Sequence, residues 1–368
     1  MRLEFNTRIF LAAVSALAFS ASLPLLAFAA SSSQAEWDQV LAAAKKEGKV
    51  SVIGPVGPDR RDILTEPFQK KYGITVEYMA DRGSGIGPKI AAERGANKYN
   101  WDIVVTGTTT ALTALIPLGA LDPMDQALIL PEVKDPKMWR GGGIEYSDPG
   151  RRMIVMTPSQ RGTLFVNPNT IKPGDIKSYK DLLDPKYKGK IIADDGRFAG
   201  PGQATFTFFY LHPDLGPNFI RALAKQELTI SRDYLQEIDA VAKGRHLVLI
   251  GVSDIAAEER KEKGIPIDII NPRTLKEASD VSPGSGGVSM FNKAPNPNAA
   301  KVYLNWLLSK DGQTGFARVN GYISARLDVP TDHSPWRVPI PGAIKTYTPQ
   351  AMEVKEPLTN LLKELWGQ

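Results

Sequence analysis

The sequence predicts an α/β protein made of two units, each a mostly parallel sheet flanked by helices. Three observations predict this. From residue 33 onward, short β-branched runs alternate with amphipathic stretches; a Pro-, Gly- and Asp-rich segment at 122–152 interrupts the alternation; after it the alternation resumes without any shared sequence period. The chain beyond residue 29 is also longer than one compact core commonly holds.

Taken in order, the first element is a helix in SQAEWDQVLAAAKKEGK. There Trp37, Val40, Leu41 and Ala44 recur at i, i+3, i+4 and i+7, with Ser32 or Ser33 as N-cap. VSVIG is a short buried strand, DILTEPFQKKYG a helix closed by Gly73, and ITVEYMA a second strand. A glycine-rich loop, RGSGIG, follows at 82–87, then helix PKIAAERGA, strand DIVVTG and helix TALTALIPLG. The second unit reads as strand KIIAD, helices QATFTFFYLH, PNFIRALAKQ and DYLQEIDAVAKG, strand LVLIG, helix DIAAEERKEKG and strand IDII. In the last third, Ala299, Val302, Tyr303, Trp306 and Leu307 make one face of a helix, and a terminal helix surrounds 358–366.

RGSGIGPK invites comparison with the dinucleotide-binding fingerprint. Gly83 and Gly85 supply its first two glycines, but Pro88 stands in the third place and the loop follows the second strand, not the first. A nucleotide site is not expected. Pro88 suits the first turn of a helix, and the glycines suit a helix entrance whose backbone amides face a small anion.

Residues 1–29 carry Arg2 and Arg8, an apolar stretch and the small residues Ala27 and Ala29, the pattern of a signal peptide cleaved near Ala29/Ala30. A periplasmic protein is expected. The sequence has no cysteine, which excludes a lipoprotein anchor, disulfides and thiolate metal sites. His212, His246 and His333 lack the spacing that presents two ligands to zinc from one helix, and neither a metal nor a cofactor is expected. The net charge of +5 is spread among acids, so nucleic acid is not indicated as a partner.

Two longer stretches, RGTLFVNPNTIKPGDIKSYKDLLDPKYKGKI and NKAPNPNAAKVYLNWLLSKDGQ, resemble the extracellular solute-binding proteins of bacterial ABC importers, in the branch labelled ferric-iron-type. The resemblance implies a two-lobe clamshell, the type II periplasmic binding protein fold, with two hinge strands and ligand in the cleft. It assigns residues 30–160 plus 275–368 to the first lobe and 161–274 to the second, with hinges near 163–166 and 267–271. It also implies a small-molecule solute, a monomer, and transient contact with a membrane permease. Ferric members carry paired tyrosines on the loop after the strand matching LVLIG, where this chain has GVSD. That departure counts against iron, which stays as the alternative.

Ligands of open α/β sheets bind beyond the carboxyl ends of the strands, so each strand-to-helix loop offers candidates. In the first lobe these are Val56, Gly57, Arg82, Gly83, Ser84, Gly85, Thr106, Gly107, Thr108 and Thr109; in the second, Asp195, Arg197, Gly202, Gln203, Ser253 and Asp254. Hydroxyls, glycine amides and guanidinium groups suit a small organic anion, and the aspartates admit a zwitterion. Ser84, Thr109 and Asp254 equally suit helix caps, Arg60, Arg61 and Arg197 suit solvated surface charges better than ligand clamps, and Phe206, Phe208, Phe209 and Tyr210 fit a core better than a cation cage. No GxSxG elbow and no histidine in these loops argue against a hydrolase. A module presenting bound ligand to a membrane sensor is the remaining competing class.

Overall fold

The computed structural model describes residues 22–172, 174–332 and 334–367. Most of the expected signal peptide therefore lies outside the described residues. The first helix, Ser22–Glu47, begins ahead of the expected Ser32 or Ser33 cap and runs through Ala29 and Ala30. No helix among the described residues is long and apolar enough to cross a membrane.

Two five-stranded sheets organise the chain. The first runs Thr75–Ala80, Lys49–Gly54, Ile103–Thr106, Gly287–Met290, Ile154–Val155; the second runs Asp268–Ile269, Leu164–Val166, Val248–Ile250, Ile191–Asp194, Thr229–Ser231. Each sheet is mixed, with most strands running in parallel as expected: four run in one direction, and one, Gly287–Met290 in the first sheet and Leu164–Val166 in the second, runs antiparallel to both its neighbours. The reversed strands are those on which the chain enters or re-enters a unit, where no crossover helix imposes parallel direction.

Local chemistry explains most boundaries. Pro58–Tyr72 starts with proline in its first turn and stops at Gly73, whose φ of 69° puts it in the left-handed region. Asp233 caps Tyr234–Ala242 through the amides of Leu235 and Gln236, and Ser253 caps Asp254–Glu262 through that of Ala256. The first core gathers Trp37, Phe68, Tyr303 and Trp306 around the buried strands. In the second, Phe206, Phe208 and Phe209 are fully buried, as expected for core residues, and Tyr210, half-buried, packs against that core.

The link between the sheets differs from the expected hinges. Leu164–Val166 is paired on both sides inside the second sheet, and Asp268–Ile269 is the edge strand beside it. The chain passes between the sheets on a separate antiparallel ribbon, Ser159–Gln160 with Val281–Ser282. Gln160 fastens the ribbon by donating from Nε2 to the Ser279 carbonyl at 2.6 Å. A third passage follows. Val281 donates to the Ile344 carbonyl at 2.8 Å, and the last helix, Lys355–Trp366, then buries Leu358, Leu361 and Leu362 in the second core. The resemblance assigns that helix to the first lobe, but its leucines repeat at the spacing of a single apolar stripe, and the helix surface they meet belongs to the second unit.

Candidate ligand cleft

A cleft of about 480 Å³ opens between the two sheets. Ser84, Gly107, Thr108, Thr109 and Thr113 line it from the first unit, Gln203 and Thr207 from the second, and Ser282 from the connecting ribbon. A neighbouring cavity of about 250 Å³, lined by Arg161, Ser253, Asp280 and Tyr322, shares Gly200, Ala204, Ser282 and Gly284 with it. The two spaces therefore form one continuous groove.

The first-unit wall is built by close backbone packing. Helix Gly83–Gly95 starts at Gly83, so the RGSGIG stretch is its opening turns and not a loop. Pro88 lies inside the helix and not in its first turn, and its ring lines the cleft, exposed. A Cβ on Gly83 would sit 2.5 Å from Thr110 Oγ1, and one on Gly87 2.7 Å from Ala114 Cβ. These glycines let the helix lie against the threonine-rich segment opposite. That segment is a single α-turn, Thr108–Thr110, widened into a π-helical stretch, Ala111–Leu115, a local irregularity frequent at functional sites.

The expected site residues divide into those the fold brings together and those it does not. Gly83, Ser84, Gly107, Thr108, Thr109 and Gln203 share the cleft, and Ser253 lines the adjoining cavity while capping its helix. Neither Ser84 nor Thr109 is an N-cap; Arg82 and Gly107 precede those helices. Val56, Gly57, Arg82, Gly85 and Thr106 do not line either space. Val56 and Arg82 are exposed, Thr106 is buried in its strand, and a Cβ on Gly85 would strike Asp81 Oδ1. Gly202 spends its amide on Asp194 Oδ2 at 2.7 Å.

Three charged candidates are consumed by internal pairs. Arg197 grips Asp195 from Nε and Nη2, both at 2.8 Å, and its Nη1 donates to the Gly367 carbonyl, tying down the C-terminal end. Asp254 is fully buried and accepts from Arg161 Nη2, Arg337 Nη1 and the Gly162 amide. Burial opposes its charge, yet the guanidiniums of Arg161 and Arg337 hold its carboxyl below the usual range. Arg337 also meets Glu258 at 2.6 Å, and Arg161 stacks over Tyr322. Asp280 completes this cluster; burial pushes its carboxyl up to about 6, Arg161 pulls it down, and Thr346 Oγ1 donates to its Oδ2 at 3.0 Å.

Sequence reasoning missed Lys355. It stands at the start of the last helix, far in sequence from any strand-to-helix loop, and reaches the cleft only because that helix docks on the second unit. Its Nζ donates to Thr109 Oγ1 at 3.2 Å, across the cleft. Burial lowers its ammonium to about 8, and no carboxylate offsets the effect.

The tyrosines at the groove, Tyr322 and Tyr347, come from separate segments, and Tyr347 donates to Glu145 Oε1 at 2.6 Å. The loop after Val248–Ile250 presents Gly251, Val252 and Ser253.

Comparison with known proteins gives a consistent picture. An uncharacterized protein of Haemophilus influenzae is 25% identical over 294 residues, 74% of this chain and 77% of that one. Iron uptake protein A2 of Synechocystis sp. is 25% identical over 181 residues, 46% of this chain and 51% of its own. Among solved structures, the Trichodesmium IdiA (FutA) protein in complex with iron and citrate superposes with a TM-score of 0.68 at 18% identity, covering 87% of this chain and all of that one (100%). AfuA from Actinobacillus pleuropneumoniae, with fructose-6-phosphate bound, gives 0.59 at 20% identity over 86% and 98%. Such identities establish a common fold, the two-lobe periplasmic binding protein architecture. The family model described as bacterial extracellular solute-binding protein matches residues 64–340, and this chain belongs to that family.

Proposed function

We propose that the cleft captures a small organic anion or zwitterion in the periplasm, closes on it, and delivers it to an ABC permease. The observation that carries this reading is the make-up of the cleft wall: hydroxyls from both units converge on one space, with a lysine and without a lining carboxylate among the described residues. Residues 1–29 act as the export signal, and the protein works as a monomer without catalysis. The Ser159–Gln160 and Val281–Ser282 ribbon is the hinge, since it is the short two-stranded element between two well-packed sheets. Closure then depends on a solute that touches both units at once and so favours the closed form.

The solute is identified by denaturing protein purified from a periplasmic extract and analysing the released small molecule by mass spectrometry. A thermal-shift panel follows, because a ligand at 100 times its Kd adds about 2.7 kcal/mol. Organic acids or zwitterions should raise the melting temperature. A rise with ferric salts alone would transfer the reading to iron, for which the Synechocystis protein is named and which the Trichodesmium protein holds with citrate.

A further inference from the structure

The charge balance of the groove narrows the solute further. At its Arg161 end, the cations are already matched: Arg161 and Arg337 bind Asp254, Arg337 binds Glu258, and Asp280 faces Arg161. At the other end Lys355 lies among Ser84, Thr108, Thr109 and Gln203 and is the one charged side chain lining that space among the described residues. Among the described residues its hydrogen-bond partner is neutral, the Thr109 hydroxyl, which leaves further N–H donors of the ammonium for a ligand. A half-buried cation without a counter-ion is costly unless an anion supplies one.

We propose that Lys355 is the counter-charge of the ligand site, and that the solute is a hydroxylated compound bearing one anionic group, carboxylate or phosphate, and no ammonium. This rests on the cleft being the solute site. The anionic group accepts from the remaining N–H donors of Lys355 beside the Thr109 hydroxyl, and the ligand hydroxyls meet Ser84, Thr108 and Gln203. Because the helix of Lys355 packs on the second unit and Thr109 belongs to the first, one anion held by both also bridges the units. The aspartates of the groove do not call for an ammonium on the ligand, since each already faces arginine.

The test is calorimetric titration of the full-length mature protein with gluconate, glucose 6-phosphate, glucose and glucosamine, repeated on Lys355→Met and Lys355→Arg. Gluconate or glucose 6-phosphate should bind, the better of the two telling carboxylate from phosphate. Lys355→Met should weaken it by about 10- to 100-fold, the range of a charge-assisted hydrogen bond, and Lys355→Arg should restore part of the loss. Unliganded melting of each variant reports whether it folds. Tight binding of glucose or glucosamine alone, or equal acid affinity in wild type and Lys355→Met, overturns the assignment of Lys355 while leaving the cleft as a solute site. Absence of binding by every member overturns both.

Discussion

Replacing Lys355 by methionine should make the unliganded protein no less stable at neutral pH, although it removes a hydrogen bond. Burial shifts the ammonium from 10.5 to about 8, a difference that corresponds at full value to about 3 kcal/mol against the charged folded state. Partial exposure screens this to roughly half. The lost bond to Thr109 offsets about 1 kcal/mol of the gain. The net expectation at pH 7 is a change of about zero to +1 kcal/mol. The sign with pH is definite. Because the folded pKa lies below the unfolded one, the penalty is complete below about 8 and is relieved as pH rises toward 10.5. Wild type should therefore gain on the variant between pH 7 and pH 10. Urea unfolding of both proteins across that interval measures it. If wild type instead loses ground to Lys355→Met as pH rises, the lysine is not held against its charge and the reasoning fails.

Asp254→Asn leaves the guanidiniums of Arg161 and Arg337 without their shared carboxylate in the interior; a loss of about 3–5 kcal/mol in chemical denaturation is expected, and a loss below 1 kcal/mol would show that the cluster is not a structural hub. Glu237 has no exposed surface, and burial, with Asp194 nearby, pushes its carboxyl up to about 7. Its contribution is complete below about 4.5 and is lost as pH rises through 7, so Glu237→Gln should match wild type at acid pH and exceed it by about 1–3 kcal/mol at pH 8 in thermal or urea unfolding. In the cleft, Gln203→Ala should weaken solute binding about 3- to 10-fold without changing the melting temperature, whereas Arg82→Ala, an exposed position outside the cleft, should leave affinity unchanged. Equal effects of the two substitutions in titration would remove the distinction drawn between them.

How much of this was legible in the sequence depends on the range over which each feature is determined. Gly73 ends its helix through its own φ, and the apolar stripe of Pro297–Leu308 announces a buried face, so both are readable from a short window. The antiparallel strands Gly287–Met290 and Ile154–Val155 are short and fully buried, with no alternation to betray them, and their partners lie far along the chain. The site shows the same division. Thr108, Thr109 and Gln203 follow from the rule that ligands sit at strand ends, but Asp254 and Arg197 obey that rule in sequence and are withdrawn from it by Arg161, Arg337 and Asp195. A charge's availability depends on its partners, which only the folded chain discloses.

RGSGIGPK illustrates the point at closest range. As a string it offers glycine amides to an anion, yet Gly83, Gly85 and Gly87 are small because Thr110, Asp81 and Ala114 occupy the space where a Cβ would go. Gly83 and Gly87 bring one helix against the threonine-rich segment of the cleft wall, and the charge that an anion requires arrives from Lys355. In a two-unit binding protein this division has a mechanical consequence. The glycine packing lies within the first unit, while the bond between Lys355 and Thr109 spans the units, so a solute that engages both groups acts on the equilibrium between open and closed forms.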